Sequence, residues 1–346
     1  MKRLYKLLIT LTLSVCCLLS FTACSAPATV DDTTLVDPRV ETIKVGIIEY
    51  EPLNYMSRNT FKGFNPELAL MTFEALGYNV KFVLVKPQNT EEFMPTAQDV
   101  YDALDSGDID CFWGGISDAI LFDEERADFS LPYLKNSLCL VKGTYANSIS
   151  SLEDLENAKV AVAQNTVGEK YFNEQILGTI SGASALTCKR GHVEALHKIK
   201  AVTDSTSYAI IDTLSALYHK YNGDYSNVVI TEIDLAQENN LRVVFKKQND
   251  KNELRDNVNA MLNAFSSIKT DEKCIITKIA EKYKFGSYDK NLSDFIITDF
   301  SIDTETGGGA SEGSGLTSNP IPNPQPEPPQ GSSGSNTEGF KPGWLS

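Results

Sequence analysis

The segment Ser106-Gly107-Asp108-Ile109-Asp110-Cys111-Phe112-Trp113-Gly114-Gly115-Ile116-Ser117 contains the strongest indication of the fold. Residues 109–113 are nearly all apolar, as in a strand that is covered on both faces of a parallel sheet. Away from this segment, in both directions, hydrophobic strand-like runs alternate with helical patterns. This alternation predicts an α/β fold with largely parallel sheets.

The alternating pattern falls into two successive sets. In the first, Asn65-Pro66 predicts the start of a helix that ends near Gly77. The second begins after Ser150, and Thr166-Val167-Gly168-Glu169 has the form of a capping box that opens another helix. Each set supplies predicted strands, which lie at residues 43–48, 79–85, 109–113 and 138–141 and then at 159–163, 208–211 and 242–245. The chain therefore contains enough elements for two α/β lobes.

Three more blocks accompany the opening segment in a fixed order. They are Gly63-Phe64-Asn65-Pro66-Glu67-Leu68-Ala69, Asp128-Phe129-Ser130-Leu131-Pro132-Tyr133 and Tyr208-Ala209-Ile210-Ile211-Asp212. With the opening segment, this order resembles the family 3 extracellular solute-binding proteins, the polar amino-acid receptors of bacterial ABC importers, over residues 43–287. The resemblance implies a periplasmic-binding-protein type II fold, in which two α/β lobes are joined by a two-strand hinge and the ligand binds in the cleft.

The resemblance also implies a domain organisation. The hinge crossings are expected near residues 140–143 and 243–246. The predicted parts are a signal peptide (1–23), a tether (24–42), a first lobe (43–141 plus 242–290), a second lobe (142–241) and a disordered tail (291–346).

The first 24 residues have the features of an export signal. A basic start precedes an apolar stretch from Leu7 to Phe21, which is short for a membrane span. Phe21-Thr22-Ala23-Cys24 resembles a lipobox, which implies cleavage and a diacylglycerol on Cys24. Two acyl chains hold a protein stably at a membrane. We therefore expect an exported, lipid-anchored protein on the outer face of the cytoplasmic membrane. The alternative is an uncleaved anchor helix.

The C-terminal segment is rich in Gly, Ser, Asn and Pro from Thr304 to Gly339. Such a segment cannot bury enough apolar surface to offset its ordering entropy, so it is expected to be disordered and solvated. The alternative is a spacer or docking segment that ends in Phe340 and Trp344.

Composition disfavours several functional classes. The net charge of the 346 residues is −15, and an acidic chain of this kind repels nucleic acid. The spacing of the cysteines and of His192, His197 and His219 suggests neither a metal site nor a catalytic triad. Those histidines are expected to be surface or packing residues. Together with the resemblance, we therefore expect a monomeric binding protein without metal or cofactor. The resemblance implies that its partners are a small solute and ABC permease subunits.

The ligand residues follow from the chemistry of a free amino acid. Its ammonium needs a carboxylate, because an unpaired buried charge costs several kcal/mol. Asp212, after a predicted strand and at the matching family position, is the expected partner, although aspartate also suits a helix N-cap. Donors for the ligand carboxylate are expected from Thr166, at a helix N-terminus, and the resemblance implies further donors at Gly115 and Ser117. Glu169 is a competitor for the Thr166 donors.

The family arginine that binds the ligand carboxylate is displaced here. The matching positions hold Phe122 and Asp123, and Arg126 is the single arginine of the segment. Arg126 either reaches the cleft through a changed loop register or pairs with a surface acid.

Aromatic residues are expected to form the wall for the ligand side chain. The resemblance implies that Tyr50, in the loop after the first strand, stacks on the ligand, and Phe93 is a candidate for the facing wall. Two other functional classes remain open: a surface sensor or adhesion component, and a dehydratase-like enzyme using Glu49, Asp118 and Asp212.

Overall fold

The computed structural model describes residues 39–297, except for 90–91, 93, 116–122, 202–204, 224, 239, 250, 271 and 285–294. Side chains at 236–238 and 270 are likewise outside the description. The chain divides into units at residues 1–304 and 305–346, and everything below concerns the first. The signal peptide, Cys24 and the tail lie outside the described residues.

The first lobe is built on a five-stranded sheet with helices on its faces. Its elements are β1 (Thr42–Ile47), β2 (Tyr55–Ser57), β3 (Thr60–Lys62), α1 (Phe64–Ala75), β4 (Asn79–Leu84), α2 (Ala97–Ser106), β5 (Cys111–Phe112) and β6 (Ala127–Phe129). The strand order is β4-β1-β5-β12-β6, where β12 (Val244–Lys246) comes from the end of the chain. Strand β1 is parallel to β4 and β5, whereas β12 is antiparallel to β5 and β6.

The second lobe has its own five-stranded sheet. Its elements are β7 (Ser137–Lys142), a 3₁₀ turn (Leu152–Leu155), β8 (Lys159–Ala163), α3 (Val167–Tyr171) with a π-helical turn (Phe172–Ile176), β9 (Ser184–Cys188), α4 (His192–Ala201), β10 (Thr206–Asp212), α5 (Thr213–Asn222) and β11 (Val229–Glu238). The order is β11-β7-β10-β8-β9. Strands β10, β8 and β9 are parallel, and β7 is antiparallel to β10 and β11.

Helices at the end of the chain complete the first lobe. They are α6 (Glu253–Ser267) and α7 (Ile275–Lys282), separated by the hairpin of β13 (Lys269–Thr270) and β14 (Lys273–Cys274). Both helices contribute buried apolar residues to the core that contains β1 and α1. None of the helices in the described ranges has the length and hydropathy needed to span a bilayer.

The crossings between the sheets lie at residues 130–136 and, in the described residues, at 240–243, since β6 and β12 belong to the first sheet and β7 and β11 to the second. Leu134 and Leu241 pair at this point in an isolated antiparallel bridge. The first crossing therefore lies several residues before the expected 140–143, and β7 belongs to the second lobe rather than the first. The apolar run at 138–141 predicted a strand, but strand propensity carries no information about which sheet the strand joins. The α/β, two-lobed fold class is confirmed.

Helix α1 needs a glycine at its start. Gly63 is its N-cap at φ 125°, a conformation essentially restricted to glycine. An ideal Cβ at Gly63 would lie 2.2 Å from the carbonyl oxygen of Leu53, which accepts a hydrogen bond from Asn65 N–H. The glycine therefore lets the helix begin against the loop that follows β1, and this contact positions the loop.

Candidate functional site

Polar residues of both lobes follow the carboxyl ends of parallel strands. In the second sheet, Thr166 follows β8, His192 follows β9 and Asp212 ends β10. In the first sheet, Tyr50 follows β1 and Gly115 follows β5. Open α/β sheets bind ligands outside the carboxyl ends of their strands. Contacts between Tyr50 and the second-lobe residues place these two edges together.

Asp212 is the centre of this arrangement. Its side chain is buried, with the whole residue 3% exposed. Oδ1 accepts a hydrogen bond of 3.1 Å from Nδ2 of Asn136, and Oδ2 accepts one from the hydroxyl of Tyr50. Asp212 occupies the N-cap position of α5, but its carboxylate makes no capping hydrogen bond. Oδ1 of Asn136 accepts from Leu214 N–H instead, at 3.3 Å. The carboxylate is therefore directed to the junction of the lobes.

Tyr50 connects the two lobes through its side chain. Its backbone forms a tight pair with Asn54, with N···O distances of 2.8 and 2.9 Å, which fixes the turn after β1. From this turn the phenol reaches Asp212, and its ring centroid lies 5.3 Å from that of His192. Ser215 Oγ donates to the Glu51 carbonyl at 3.2 Å and makes a further contact between the lobes. The structure thus brings Tyr50 and Asp212 together.

Gly115 lies against the same tyrosine. It has φ +81°, and an ideal Cβ there would lie 3.0 Å from Leu53 Cδ1, 3.1 Å from Asn65 Nδ2 and 3.2 Å from Tyr50 Cδ1. A side chain at this position would therefore press on the Tyr50 ring. Two other candidates, Ser117 and Phe93, lie outside the described residues.

The Thr166 loop uses its polar side chains internally and across the lobes. The hydroxyl of Thr166 donates to the Ala163 carbonyl at 2.7 Å. Glu169 accepts from Asn165 N–H at 2.8 Å rather than from Thr166 N–H, and Thr166 makes no side-chain capping hydrogen bond, so the predicted capping box does not form. Nδ2 of Asn165 donates across the lobes to Glu92 Oε2 and to the Met94 carbonyl, both at 2.9 Å.

Arg126 is placed away from these residues. It precedes β6, which runs parallel to β5, so its backbone lies at the sheet edge opposite Gly115. The guanidinium lies 4.1 Å from the centroid of the Tyr101 ring and donates to Gln98 Oε1 at 2.8 Å. Among the described residues, Arg126 contacts the outer helix α2 and makes no contact with Asp212. Neither alternative from the sequence, cleft binding or pairing with a surface acid, describes this stacked position.

His192 is the site residue that the sequence did not single out. It was expected to be a surface or packing residue, and its 5% exposure fits the packing alternative; beyond packing, its Nε2 lies 2.8 Å from Oδ2 of Asp212. Burial, with a smaller contribution from His219, lowers the pKa of His192 to about 3, so the imidazole is neutral. The signal that identifies it is its position. Strands β9 and β10 lie on either side of β8 and run parallel to it, so His192, which follows β9, and Asp212, which ends β10, lie at the same edge of the sheet.

Several buried polar atoms of this region have no hydrogen-bond partner in the described part of the chain. They are Nδ1 and Nε2 of His192, Nδ2 and Oδ1 of Asn65 and Oδ1 of Asn54. For His192 Nε2, the short contact with Asp212 therefore lacks hydrogen-bond geometry. Among the same residues, no cluster of His, Cys, Asp and Glu has an arrangement that would hold a metal ion.

Several solved structures are similar to this chain. An ancestral arginine-binding protein bound to glutamine is 25% identical, with a TM-score of 0.53, and the match covers 70% of this chain and 98% of that one. The ancestral amino-acid-binding protein AncCDT-1, a precursor of cyclohexadienyl dehydratase, is also 25% identical, with a TM-score of 0.53 and coverage of 70% and 94%.

A third similar structure shows the fold alone, because its identity is 18%. It concerns glutathione import via GshT and the cystine ABC importer TcyBC of Streptococcus mutans; the TM-score is 0.57 and the match covers 74% of this chain and 99% of that one. No protein of curated function matches the chain.

The family assignment rests on a match over most of the folded region. The model of the bacterial extracellular solute-binding proteins, family 3, matches residues 43–287. This range includes both sheets and every described residue of the candidate site. The chain therefore belongs to the bacterial extracellular solute-binding proteins of family 3.

Proposed function

We propose that this protein captures a polar amino acid, or a closely related small solute, between its two lobes and delivers it to an ABC importer. The observation that carries the proposal is the buried carboxylate of Asp212, at the strand ends where the two lobes meet. A buried carboxylate of this kind stabilises a ligand ammonium, which would otherwise lose its hydration without compensation. Lobe closure is the hinge motion expected for this architecture.

The roles of the site residues follow from their placement. Asp212 binds the ammonium, and Tyr50 forms the wall against which the ligand lies. Gly115 and Thr166 offer backbone N–H groups to the ligand carboxylate, because the hydroxyl of Thr166 is already bound to Ala163. Ser117 and Phe93 are proposed as ligand contacts because of the sequence pattern alone. Arg126 would contact the ligand carboxylate only if its loop rearranged and brought the guanidinium into the cleft.

The neighbours support binding rather than turnover. The ancestral arginine-binding protein is bound to glutamine, and the dehydratase precursor is itself an amino-acid-binding protein. The family match supports a solute-binding role, and we propose an ABC permease as the partner that receives the solute. We propose that the protein is not an enzyme and that the cleft releases its ligand unchanged.

The function is tested by a thermal-shift screen of the exported part of the chain against the free amino acids. A ligand present at 100 times its dissociation constant adds about 2.7 kcal/mol to the native state. We expect at least one polar amino acid to raise Tm in this way and to be recovered unchanged from the mixture. No stabilisation by any amino acid, or conversion of the added compound, would contradict the proposal.

The membrane anchor is a separate part of the proposal. We propose that Cys24 carries the lipid, because Phe21-Thr22-Ala23-Cys24 ends an apolar stretch too short for a span. A Cys24→Ala variant is then expected to leave the membrane fraction, and Cys16→Ala, within the cleaved segment, is the matched control. The measurement is fractionation followed by mass determination of the N-terminus. Continued membrane association with residues 1–23 still attached would show an ordinary anchor helix.

A further inference from the structure

The imidazole of His192 is a buried hydrogen-bonding group that the proposed function does not use. Its ring packs beside Tyr50 of the other lobe, with a centroid separation of 5.3 Å, and neither nitrogen has a hydrogen-bond partner in the described residues. Most buried polar side-chain atoms in proteins are hydrogen-bonded, and an unpaired one costs about 1–3 kcal/mol. An unpaired group at a binding cleft is therefore expected to gain its partner from the ligand.

The contact with Asp212 fixes the chemical character of the free nitrogen. Nε2 lies 2.8 Å from Oδ2, and at that distance the negative charge of the carboxylate repels an unprotonated nitrogen and attracts a protonated one, even without the angle of a hydrogen bond. Nε2 therefore carries the proton. In a neutral imidazole the other nitrogen is then an acceptor. Nδ1 consequently requires a hydrogen-bond donor.

The opposite wall of the cleft has a similar unpaired group. Both side-chain atoms of Asn65 are buried without a partner among the described residues, and Asn65 Nδ2 lies next to Gly115, beside Tyr50. Unpaired polar atoms thus occur on both sides of Tyr50, in the first lobe at Asn65 and in the second at His192. A purely apolar ligand side chain would leave both of them unsatisfied.

We propose that His192 is a specificity-determining residue, and that its Nδ1 accepts a hydrogen bond from a hydroxyl or amide on the side chain of the bound amino acid. The inference rests on the proposed function, in which Asp212 takes the α-ammonium. A second ammonium or guanidinium beside His192 would require a second carboxylate, whereas a neutral donor is satisfied by the imidazole alone. The ligand class is therefore a neutral, donor-bearing amino acid.

The test uses amino acids of nearly equal shape, of which one carries a polar donor-bearing group and the other an apolar group in its place. Threonine with valine, and asparagine with leucine, form such pairs; lysine and arginine serve as cationic probes. A site that hydrogen-bonds a ligand group rejects the analogue lacking it far more strongly than an apolar pocket would. We expect the wild-type protein to prefer the donor-bearing member of one pair by about 100-fold in Kd, and to bind the cations more weakly than that member.

His192→Leu should reduce this preference to below about 10-fold, because the acceptor is removed while an apolar wall remains. His197→Leu is the matched control, since His197 is exposed on the same helix, and it should leave the preference unchanged. Titration calorimetry gives each Kd. An equal preference in His192→Leu and wild type, no preference in wild type, or tightest binding of a cation would overturn the inference while leaving the proposed function intact.

Two further outcomes are possible: the wild-type protein does not bind, or the His192→Leu variant does not fold. If wild type binds no free amino acid at all, the proposed function fails and the inference fails with it. If His192→Leu does not fold, nitrogen NMR of the wild-type histidines replaces it, which is practicable because the chain has three histidines. Saturation with the preferred amino acid should shift the Nδ1 resonance of His192 and leave that of His197 in place. An unchanged His192 signal would overturn the inference.

Discussion

Replacing Asp212 with alanine is expected to weaken amino-acid binding by about 2–5 kcal/mol, because the ligand ammonium would be buried without its partner charge. Asp212→Asn should lose most of the same affinity, since it keeps the volume of the side chain but removes the charge. The measurement is titration calorimetry with the amino acid that stabilises the wild-type protein most. A neutral substitution that binds as tightly as wild type would show that the charge of Asp212 is not used.

Two controls separate the charge of Asp212 from general effects. Asp105 pairs with Lys246 at 3.2 Å on the exposed surface, so Asp105→Ala should leave Kd unchanged within about twofold. Arg126→Ala should behave in the same way, because its guanidinium lies over Tyr101 on helix α2. A loss for Arg126→Ala comparable to that for Asp212→Ala would show that the loop delivers the arginine to the ligand carboxylate. Unfolding without ligand must be measured for Asp212→Ala, since Asn136 and Tyr50 also lose their acceptor.

Gly63→Ala is expected to reduce the free energy of unfolding by about 2–5 kcal/mol. Two costs combine: backbone strain at φ 125°, of about 1–3 kcal/mol, and a Cβ placed 2.2 Å from the Leu53 carbonyl oxygen, which forces a backbone shift of similar cost. Urea unfolding with a comparison of m-values gives the difference.

Gly77→Ala is the matched control for this effect. Gly77 also has positive φ, at +85°, but an added Cβ meets nothing within 4 Å. Gly77→Ala should therefore lower the free energy of unfolding only by the cost of a left-handed backbone, about 1–2 kcal/mol. Equal losses for the two variants would mean that the close approach of Gly63 to Leu53 adds nothing, and that the start of α1 does not position the loop after β1.

The fold was predictable because its main determinants are local in the sequence. The apolar run at 109–113 and the alternation around it indicated buried parallel strands, and the ordered blocks indicated the family. The ends of elements were less accurate: the strand at 109–113 is reduced to Cys111–Phe112. The assignment of β7 to the second sheet depends on pairing with β10 and β11, which no local pattern encodes.

The candidate site was predictable where a residue follows a strand at the matching position. Asp212 and Tyr50 were identified in this way, and the structure places them in contact. His192 was not identified, because a histidine at the start of a helix, with a second one five residues later, resembles an ordinary amphipathic surface. Its burial depends on the neighbouring Tyr50 of the other lobe, and that contact exists only in the tertiary structure.

Arg126 is a second residue whose contacts depend on the tertiary structure, but here the sequence suggested a binding role rather than missing one. Its position in the sequence allowed two readings, both based on charge: binding the ligand carboxylate or pairing with an acid. Its actual partners are the aromatic face of Tyr101 and the amide of Gln98, one helix away. Stacking of a guanidinium on a tyrosine depends on the packing of α2 against the sheet, so spacing along the chain does not predict it.

The most direct test of the central claim is a crystal structure of the protein with the amino acid that raises its Tm most. The ligand ammonium should lie within about 3 Å of an Asp212 carboxylate oxygen, with Tyr50 against the ligand. The same structure would show whether His192 Nδ1 meets a donor of the ligand side chain. A ligand bound outside the junction of the two lobes, or bound there with its ammonium directed away from Asp212, would contradict the account.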